Sequence, residues 1–374
     1  MQYCDLVNIR QGTASVHRFS NGNTLPLTQL PFGMASFAPQ TCGDKRWYYH
    51  PSHRSLEGVR LTHQPSPWIA DYGAFVFLPQ RGAPACGGEE RWSGFRPEDA
   101  TLTPYLLRLK LLRARADFAL SPTERGAVGA VTFADDAPRY LSVLPVKDDY
   151  AYRFDPATQT LFASTKMNFG GDCKNFRAYL VLRFDGDAVD ADGTLCGQER
   201  DDAADLQSPG LSIKGEMTSI HLRLKHRATT FRLAISYISF EQAIRTLEAE
   251  TAGLTPETAC AAARDLWESY LSRVQIEAAD EKQLRTFYSC LYRAFLYPHK
   301  CYEYGADGAP VHYCPHDGSI RPGVRYTDNG FWDTCRTVYP FFSLVAREEL
   351  KEMLCAFIHE YEESGWLPRW LSIG

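Results

Sequence analysis

The spacing of hydrophobic residues along the chain changes character near residue 240. Before this point, short runs rich in β-branched and aromatic residues alternate with Gly, Pro, Asp and Asn, which is typical of strands joined by turns. The clearest runs cover residues 73–79, 127–133, 177–184 and 230–238. Because no helical pattern separates these runs, they predict an antiparallel β-sandwich over residues 1–238 rather than a parallel sheet.

After residue 240 the apolar residues recur every three or four positions, as on one face of a helix. Ser239 is a predicted N-cap with Gly253 as the stop, Thr255 caps a second helix with Pro256 at its first position, and Gly365 ends a third. The apolar sets are Leu266, Trp267, Tyr270, Leu271 and Val274; Leu284, Phe287, Tyr288, Leu291, Ala294 and Phe295; and Leu350, Met353, Leu354, Phe357, Ile358 and Tyr361. Each set covers about half of its helix and therefore predicts packing against other helices.

These patterns predict a helical linker over residues 239–275 and a helical domain over residues 276–374. That last stretch supplies only a few helices of typical length, since most helices in globular proteins run about 8–20 residues. No closing helix follows the aromatic and basic residues at 366–370. The sequence therefore predicts a helical domain that is cut short.

Composition narrows the class of protein. Apolar residues make up 44% of the 374 residues and charged residues 23%, which excludes wholesale disorder. With 40 basic and 45 acidic residues, the net charge of −5 argues against nucleic-acid binding, and no apolar run approaches the length of a membrane span. Eleven cysteines without a CxxC pair and no visible signal peptide predict a cytoplasmic protein, with export as the alternative. The oligomeric state is not predicted.

The first candidate site is the segment LTHQPSPWIADYG at residues 61–73. Its two prolines exclude a central strand or a helix interior, so it must be a rigid loop. His63, Trp68 and Asp71 then give the loop the chemistry of a sugar site, where an aromatic face stacks on a pyranose and fixed polar groups bind its hydroxyls. The alternative is a buried tryptophan that anchors the loop.

The second candidate is RYTDNGFWDTCR at residues 325–336. The pattern predicts an exposed turn at 329–330, with Trp332 and Asp333 beside it. Asp333 falls near a predicted helix start, where the helix dipole stabilises a carboxylate, so capping is the alternative to ligand binding.

Two further segments carry candidate ligand contacts. In GWLPRW at residues 365–370, Trp366, Arg369 and Trp370 follow a helix end, although one of these tryptophans could instead belong to the core. The tight turn at Gly22 and Asn23 can expose polar groups, although its spacing favours the alternative of an ordinary turn with a proline-rich exit.

A cluster of possible metal ligands lies within 18 residues, but its spacing fits no known zinc pattern. Its members are His299, Cys301, His312, Cys314 and His316. The sequence therefore assigns no metal ligands. It also contains no nucleophile elbow, phosphate loop or dinucleotide glycine pattern.

The chain resembles glycoside hydrolase family 92, the calcium-dependent exo-acting α-mannosidases. The carrying segments are GNTLPLTQLPFGM, LTHQPSPWIADYG, FYSCLYRAFLYPH, FWDTCRTVYPFFSL and HEYEESGWLPRW, which occur in family order from residue 22 to 370. The resemblance implies an N-terminal β-sandwich, a helical linker and the first helices of an incomplete (α/α)6 barrel. It also implies a site at the domain interface that binds a mannose-containing oligosaccharide with the help of Ca²⁺.

By resemblance, the substrate contacts come from both parts of the chain. They are Gly22, Asn23, His63, Trp68, Asp71, Trp332, Asp333, Trp366, Arg369 and Trp370. The family inverts the anomeric centre with a general acid and a general base about 6.5–9.5 Å apart. Its acid and base lie downstream of residue 374, so no catalytic residue is assigned here, and the chain alone is expected to be weakly active or inactive. The segment HQPSPW also departs from the His-Thr-His-type loop of many members.

Two other functions fit parts of the pattern. A β-sandwich can bind carbohydrate without catalysis, and glycoside phosphorylases also join a sandwich to an (α/α)6 barrel. A phosphorylase would need a basic phosphate pocket, for which Arg369 is the only candidate found.

Overall fold

The computed structural model describes residues 2–15, 24–43, 47–64, 69–168, 173–199, 205–207, 210–278 and 280–373. Its first part consists mainly of β-strands. These are β1 (Ser36–Gln40), β2 (Ser55–Leu56), β3 (Gly58–Thr62), β4 (Phe75–Arg81), β5 (Ser93–Gly94), β6 (Thr101–Leu102), β7 (Leu107–Leu111), β8 (Ala116–Pro122), β9 (Gly126–Phe133), β10 (Arg139–Leu144), β11 (Asp149–Asp155), β12 (Thr160–Thr165), β13 (Ala178–Phe184), β14 (Val189–Gln198), β15 (Asp205–Gln207), β16 (Ser212–Glu216), β17 (Thr218–Leu224) and β18 (Ala228–Ser236). The four strands predicted from sequence correspond to β4, β9, β13 and β18, which confirms them.

Most of these strands form two antiparallel sheets. Within the described residues, one sheet has the order β1-β3-β4-β10-β17-β14-β15, and the other has the order β16-β11-β12-β13-β18-β9-β8-β7-β6. The pairing is antiparallel throughout, as the turn-rich sequence predicted.

A single hydrophobic core lies between the two large sheets. In β7 the side chains alternate between buried and exposed, so this strand turns one face to the core and the other to solvent. Phe75 of the first sheet packs edge-on against Tyr150 of the second, with ring centroids 5.5 Å apart. Residues of both sheets therefore bury a common apolar surface.

Helices dominate the rest of the chain. The 3₁₀ helix Tyr3–Leu6 and α1 (Gly88–Arg91) belong to the first part of the chain. The later helices are α2 (Phe240–Thr251), α3 (Pro256–Leu271), α4 (Glu281–Ala294), α5 (Phe331–Thr334), α6 (Val338–Val345) and α7 (Arg347–Ser364). The predicted end signals are confirmed, since Ser239 and Thr255 accept hydrogen bonds from the first turns of α2 and α3. Gly365 ends α7 in the left-handed conformation, which a residue without Cβ adopts without strain.

Short strands connect the helices. They are β19 (His299–Lys300), β20 (Glu303–Tyr304), β21 (Pro310–Tyr313), β22 (Ile320–Pro322), β23 (Tyr326–Thr327), β24 (Asn329–Gly330) and β25 (Trp370–Leu371). They pair as β19-β23, β20-β21-β22 and β24-β25. The last pair brings the two candidate segments at 325–336 and 365–370 side by side.

The residues before β1 pack on the helices and share their core. The indole N–H of Trp267 in α3 donates to the backbone carbonyl of Gln29 at 2.7 Å, and the hydroxyl of Tyr292 in α4 donates to that of Leu27. Phe32 lies edge-on against Phe295 and Phe342 in the same core. The described residues before β1 therefore lie mainly against the helical side. Across the described ranges, no helix combines the length and apolarity that crossing a membrane requires.

Candidate functional site

The first candidate loop connects β3 to β4, and the carboxylate of Asp71 holds it together. The backbone N–H groups of His63 and Tyr72 both donate to Oδ1 of Asp71 at 2.9 Å. On the other oxygen, the hydroxyl of Thr62 donates at 2.9 Å and Arg60 forms a buried ion pair at 3.4 Å. The carboxylate is thus buried among contacts with residues 60–63 and 72, while the rigidity of the whole loop stays a prediction. Whether Asp71 also contacts a sugar stays a prediction.

His63 lies buried within the same loop, and one of its ring nitrogens is available to accept a hydrogen bond. Its Nδ1 lies 2.7 Å from the backbone carbonyl of Tyr72, so this nitrogen carries the proton, and the two rings stack with centroids 4.7 Å apart. Burial lowers the pKa of His63, which keeps the ring neutral at neutral pH. Its Nε2 has no hydrogen-bond partner among the described residues. A neutral Nε2 of this kind accepts a hydrogen bond, for example from a hydroxyl group.

Tyr72 links this loop to the second candidate segment. Its hydroxyl donates to Oδ2 of Asp328 at 2.6 Å, and Nδ1 of His299 lies 2.9 Å from the same oxygen. All three residues are buried. Burial raises the pKa of Tyr72 well above its ordinary value, and the neighbouring Asp328 adds to this, so the phenol stays protonated and donates. Two regions 256 residues apart in sequence thus meet at one carboxylate oxygen.

Asp328 sits in an unusual backbone conformation between β23 and β24. Its φ angle is +62°, in the left-handed region that residues with a side chain seldom occupy, although aspartate tolerates it better than most. The turn at this residue directs the next two residues into the β24-β25 pair, where Asn329 lies opposite Leu371 and Gly330 opposite Trp370.

The prediction of an exposed turn at Asn329 and Gly330 is wrong. Both residues are buried, and the amide nitrogen of Asn329 donates to the hydroxyl of Tyr339 at 2.9 Å. Gly330 lies beneath the ring of Trp370, and a Cβ added there would lie 2.6 Å from Cζ2 of that ring. Glycine is present because the indole approaches the backbone too closely for a side chain.

Trp332, Arg369 and Trp370 come together around a cavity of about 550 Å³. The backbone N–H of Trp332 donates to the carbonyl of Arg369 at 3.4 Å, which joins the two segments next to the cavity. Trp332 and Trp370 remain 58% and 49% exposed, so their rings offer apolar surface to a ligand. We call these three residues the tryptophan platform.

The other predicted contacts are less closely associated with this cavity. Asp333 is exposed in the first turn of α5, and Trp366 is 79% exposed just after α7. Their roles in binding stay predictions. Gly22, Asn23 and Trp68 lie outside the described residues.

Tyr72, His299 and Asp328 are site residues that the sequence did not assign to sugar binding. Tyr72 directly follows the predicted Asp71, and His299 was grouped with possible metal ligands. The position of Tyr72 next to a predicted contact is only a weak signal. Its hydroxyl contacts a residue 256 positions away, and local periodicity carries no information about such a distant contact.

The proposed His and Cys cluster divides between two places. His299 contacts Asp328, whereas Nε2 of His312 lies 2.7 Å from Glu363 and Nε2 of His316 lies 2.5 Å from Glu360. In the part of the chain that the structure describes, no group of three His, Cys, Asp or Glu side chains is placed to hold a metal ion. The predicted Ca²⁺ therefore stays a prediction.

Comparison with family models places the chain among the glycosyl hydrolases. The N-terminal domain model of glycosyl hydrolase family 92 matches residues 6–251, and the catalytic domain model of the same family matches residues 242–374. The chain belongs to glycosyl hydrolase family 92. Its predicted family is thereby confirmed, while the predicted domain boundaries at 238 and 275 stay predictions.

Solved structures agree with this assignment. An inverting family 92 mannosidase from Bacteroides thetaiotaomicron superposes with a TM-score of 0.92 at 35% identity, over 100% of this chain and 50% of its own. An α-mannosidase of the same family and organism superposes at 0.85 with 22% identity, over 100% of this chain and 52% of its own, which shows a shared fold. The chain thus spans about half the length of these structures. Comparison with curated proteins found no match.

Proposed function

We propose that this chain supplies the N-terminal domain and part of the catalytic domain of an exo-acting α-mannosidase. Its substrates would be terminal α-mannosyl linkages of N-glycan or mannan fragments, hydrolysed with inversion. The family assignment and the 35% identity to an inverting mannosidase support this proposal. A second α-mannosidase structure, of 22% identity, contains bound mannoimidazole.

The proposal depends most on the hydrogen bond between Tyr72 and Asp328. This contact joins the His63 loop of the sheet region to the segment that carries Trp332, as a sugar site built from two domains requires. The platform rings offer flat surfaces for the C–H face of a pyranose, and Arg369 offers hydrogen-bond donors for its hydroxyls. Asp333 and Trp366 are proposed as further contacts from the same side.

The finer architecture belongs to the same proposal. The two large sheets would form the β-sandwich, α2 and α3 the linker, and the later helices the first part of an (α/α)6 barrel. Since the chain spans about half of its structural relatives, we expect weak turnover from it at most. Ca²⁺ is proposed from the family resemblance alone, and among the described residues no group of three His, Cys, Asp or Glu side chains marks where it would bind.

Calorimetric titration of the 374-residue chain with mannose tests the binding site. We expect measurable affinity, and we expect Trp332→Ala to weaken it about tenfold or more because a ligand-facing aromatic surface is lost. Trp92→Ala is the matched control, since this partly exposed tryptophan belongs to the sheet region. Failure of the unmodified chain to bind mannose, or equal losses in both variants, would overturn the proposal.

Turnover of p-nitrophenyl α-mannoside, with and without a calcium chelator, tests the enzyme class. Turnover that the chelator abolishes supports a calcium-assisted mannosidase. Turnover that persists in the chelator would count against calcium assistance, whereas binding without turnover is expected both of a mannosidase part that lacks its acid and base and of a carbohydrate-binding module.

A further inference from the structure

The junction between the two halves of the proposed site rests on one residue with an unfavourable backbone conformation. Asp328 has φ of +62°, which costs free energy for any residue with a side chain. A glycine would adopt the same turn without strain. The carboxylate must therefore supply something that glycine lacks, and its buried contacts show what that is.

Both ends of the turn at Asp328 are anchored by backbone pairing. Before it, Thr327 pairs with His299 in the β19-β23 ladder, and after it, Gly330 pairs with Trp370 in the β24-β25 ladder. The side chain accepts from Tyr72 of the sheet region at 2.6 Å and lies 2.9 Å from His299. Oδ2 of Asp328 thus connects the His63 loop to the backbone that leads to the tryptophan platform.

We infer that Asp328 is a positioning residue that sets the tryptophan platform relative to the His63 loop through its hydrogen bond with Tyr72. The inference rests on the proposed function, because it assigns a role within the same sugar site. Asp328 itself need not touch the sugar. It fixes where β24 begins, and the two-residue ladder then carries that placement to Trp370 and, through Arg369, to Trp332.

Buried hydrogen bonds to charged groups stabilise a structure more than hydrogen bonds between neutral groups do. Removing one partner leaves the other partner buried and unpaired. Loss of the Tyr72 hydroxyl would leave the His63 loop without its direct contact to Asp328. The short β24-β25 ladder contributes few hydrogen bonds of its own, and Asn329 anchors it to Tyr339 on the helical side, so the contact of Tyr72 with Asp328 is what ties it to the His63 loop. We therefore expect the effect to appear at the platform rather than in the large sheets.

Two substitutions at position 328 separate positioning from turn formation. Asp328→Gly keeps the turn and relieves its strain, but it removes the link to Tyr72. Asp328→Asn keeps an oxygen acceptor and also tolerates a positive φ. We expect Asp328→Gly to weaken mannose binding about tenfold while the protein stays folded, and Asp328→Asn to restore most of the affinity. Wild-type affinity in Asp328→Gly would overturn the inference.

Tyr72→Phe tests the same link from the other side. It should weaken mannose binding about as much as Asp328→Gly does. Its thermal unfolding curve should stay close to that of the unmodified chain. Tyr152→Phe is the matched control, because the hydroxyl of this buried tyrosine in β11 has no hydrogen-bond partner among the described residues. Equal effects of the two phenylalanine variants would contradict the inference.

Hydrogen–deuterium exchange tests the inference without any sugar. In Asp328→Gly and in Tyr72→Phe, residues 329–334 and 369–371 should exchange faster than in the unmodified chain, whereas β4 and β10 should not change. Unchanged exchange in these two segments would refute the positioning role whether or not mannose binds. Absence of mannose binding by the unmodified chain would instead count against the proposed function alone.

Discussion

At the scale of single residues, Glu303 combines deep burial with an incomplete set of hydrogen bonds. Its side chain is 2% exposed, Oε1 accepts from the backbone N–H of Tyr237 at 2.9 Å, and Oε2 has no partner among the described residues. Burial raises the pKa of Glu303 from its ordinary value to about 7. The folded protein therefore holds this proton at pH values where the unfolded chain has released it.

This shift predicts a pH-dependent loss of stability. Between about pH 4.5 and 7 the folded state binds more protons than the unfolded chain, so the free energy of unfolding falls as pH rises, by about 3 kcal/mol in full. Glu303→Gln should remove this decline, since glutamine does not ionise and its oxygen still accepts from Tyr237. Thermal unfolding followed by circular dichroism at pH 5 and pH 8 measures the difference.

Glu124 provides a control of opposite character. Burial acts to raise its pKa, but the charges and hydrogen bonds of Arg125 and Lys300 outweigh burial and bring the pKa below its ordinary value. Its contribution to stability is present above about pH 4.5 and is lost only in acid. Glu124→Gln should therefore destabilise the protein equally at pH 5 and 8. A Glu303→Gln variant that behaves in the same way would contradict the prediction.

At the scale of secondary-structure elements, the two-residue β24-β25 ladder depends on the absence of a side chain at Gly330. Gly330→Ala would place a Cβ 2.6 Å from the ring of Trp370, and this contact must be relieved by moving the indole or the strand. We expect the free energy of unfolding, measured by chemical unfolding, to fall by about 1–3 kcal/mol. We also expect the tryptophan emission spectrum to shift.

Gly94→Ala is the matched control, because Gly94 also lies in a two-residue strand and a Cβ there would make only ordinary contacts, 3.5 Å from Leu112. It should change stability by less than about 0.5 kcal/mol. If Gly330→Ala is equally neutral, the indole does not pack against the backbone as described.

The long elements could be predicted from sequence, but the ladder that builds the site could not. Helix α7 has a clear apolar period and a glycine stop, and β4 lies in a run of apolar residues bounded by turn residues. Asn329 and Gly330, by contrast, carry the composition of an exposed turn, and only the distant Trp370 makes them a buried strand. The local sequence pattern contains no information about such a distant partner. For this reason the sequence predicted an exposed turn where the structure has a buried strand.

At the scale of the whole molecule, the sheet and helical regions are joined by contacts of the N-terminal residues. The backbone carbonyls of Ile9 and Leu25 accept hydrogen bonds from Arg293 of α4, at 2.6 and 2.8 Å. Residues that precede the sheets in the sequence and residues that follow them thus share one hydrophobic core with the helices. The N-terminal residues are therefore part of the helical core, which the simple division of the sequence near residue 240 did not predict.

The same helical region leaves an apolar face of α7 in solvent. Leu354, Ile358 and Tyr361 follow one another at intervals of four and three residues, and each is about half exposed, while Met353 and Phe357 are buried. The wide apolar face was predicted from sequence, but only part of it is covered by neighbouring helices. Exposed apolar side chains on one helix face favour association between molecules.

This exposed face predicts concentration-dependent self-association, which light scattering or sedimentation velocity measures. Leu354→Glu should shift the distribution toward monomer, because a charge placed within the apolar face opposes its burial between two chains. Leu112→Glu is the matched control, since Leu112 lies after β7 and is also 46% exposed, as Leu354 is. A chain that stays monomeric at all concentrations, or equal responses to the two substitutions, would show that the α7 face does not drive association.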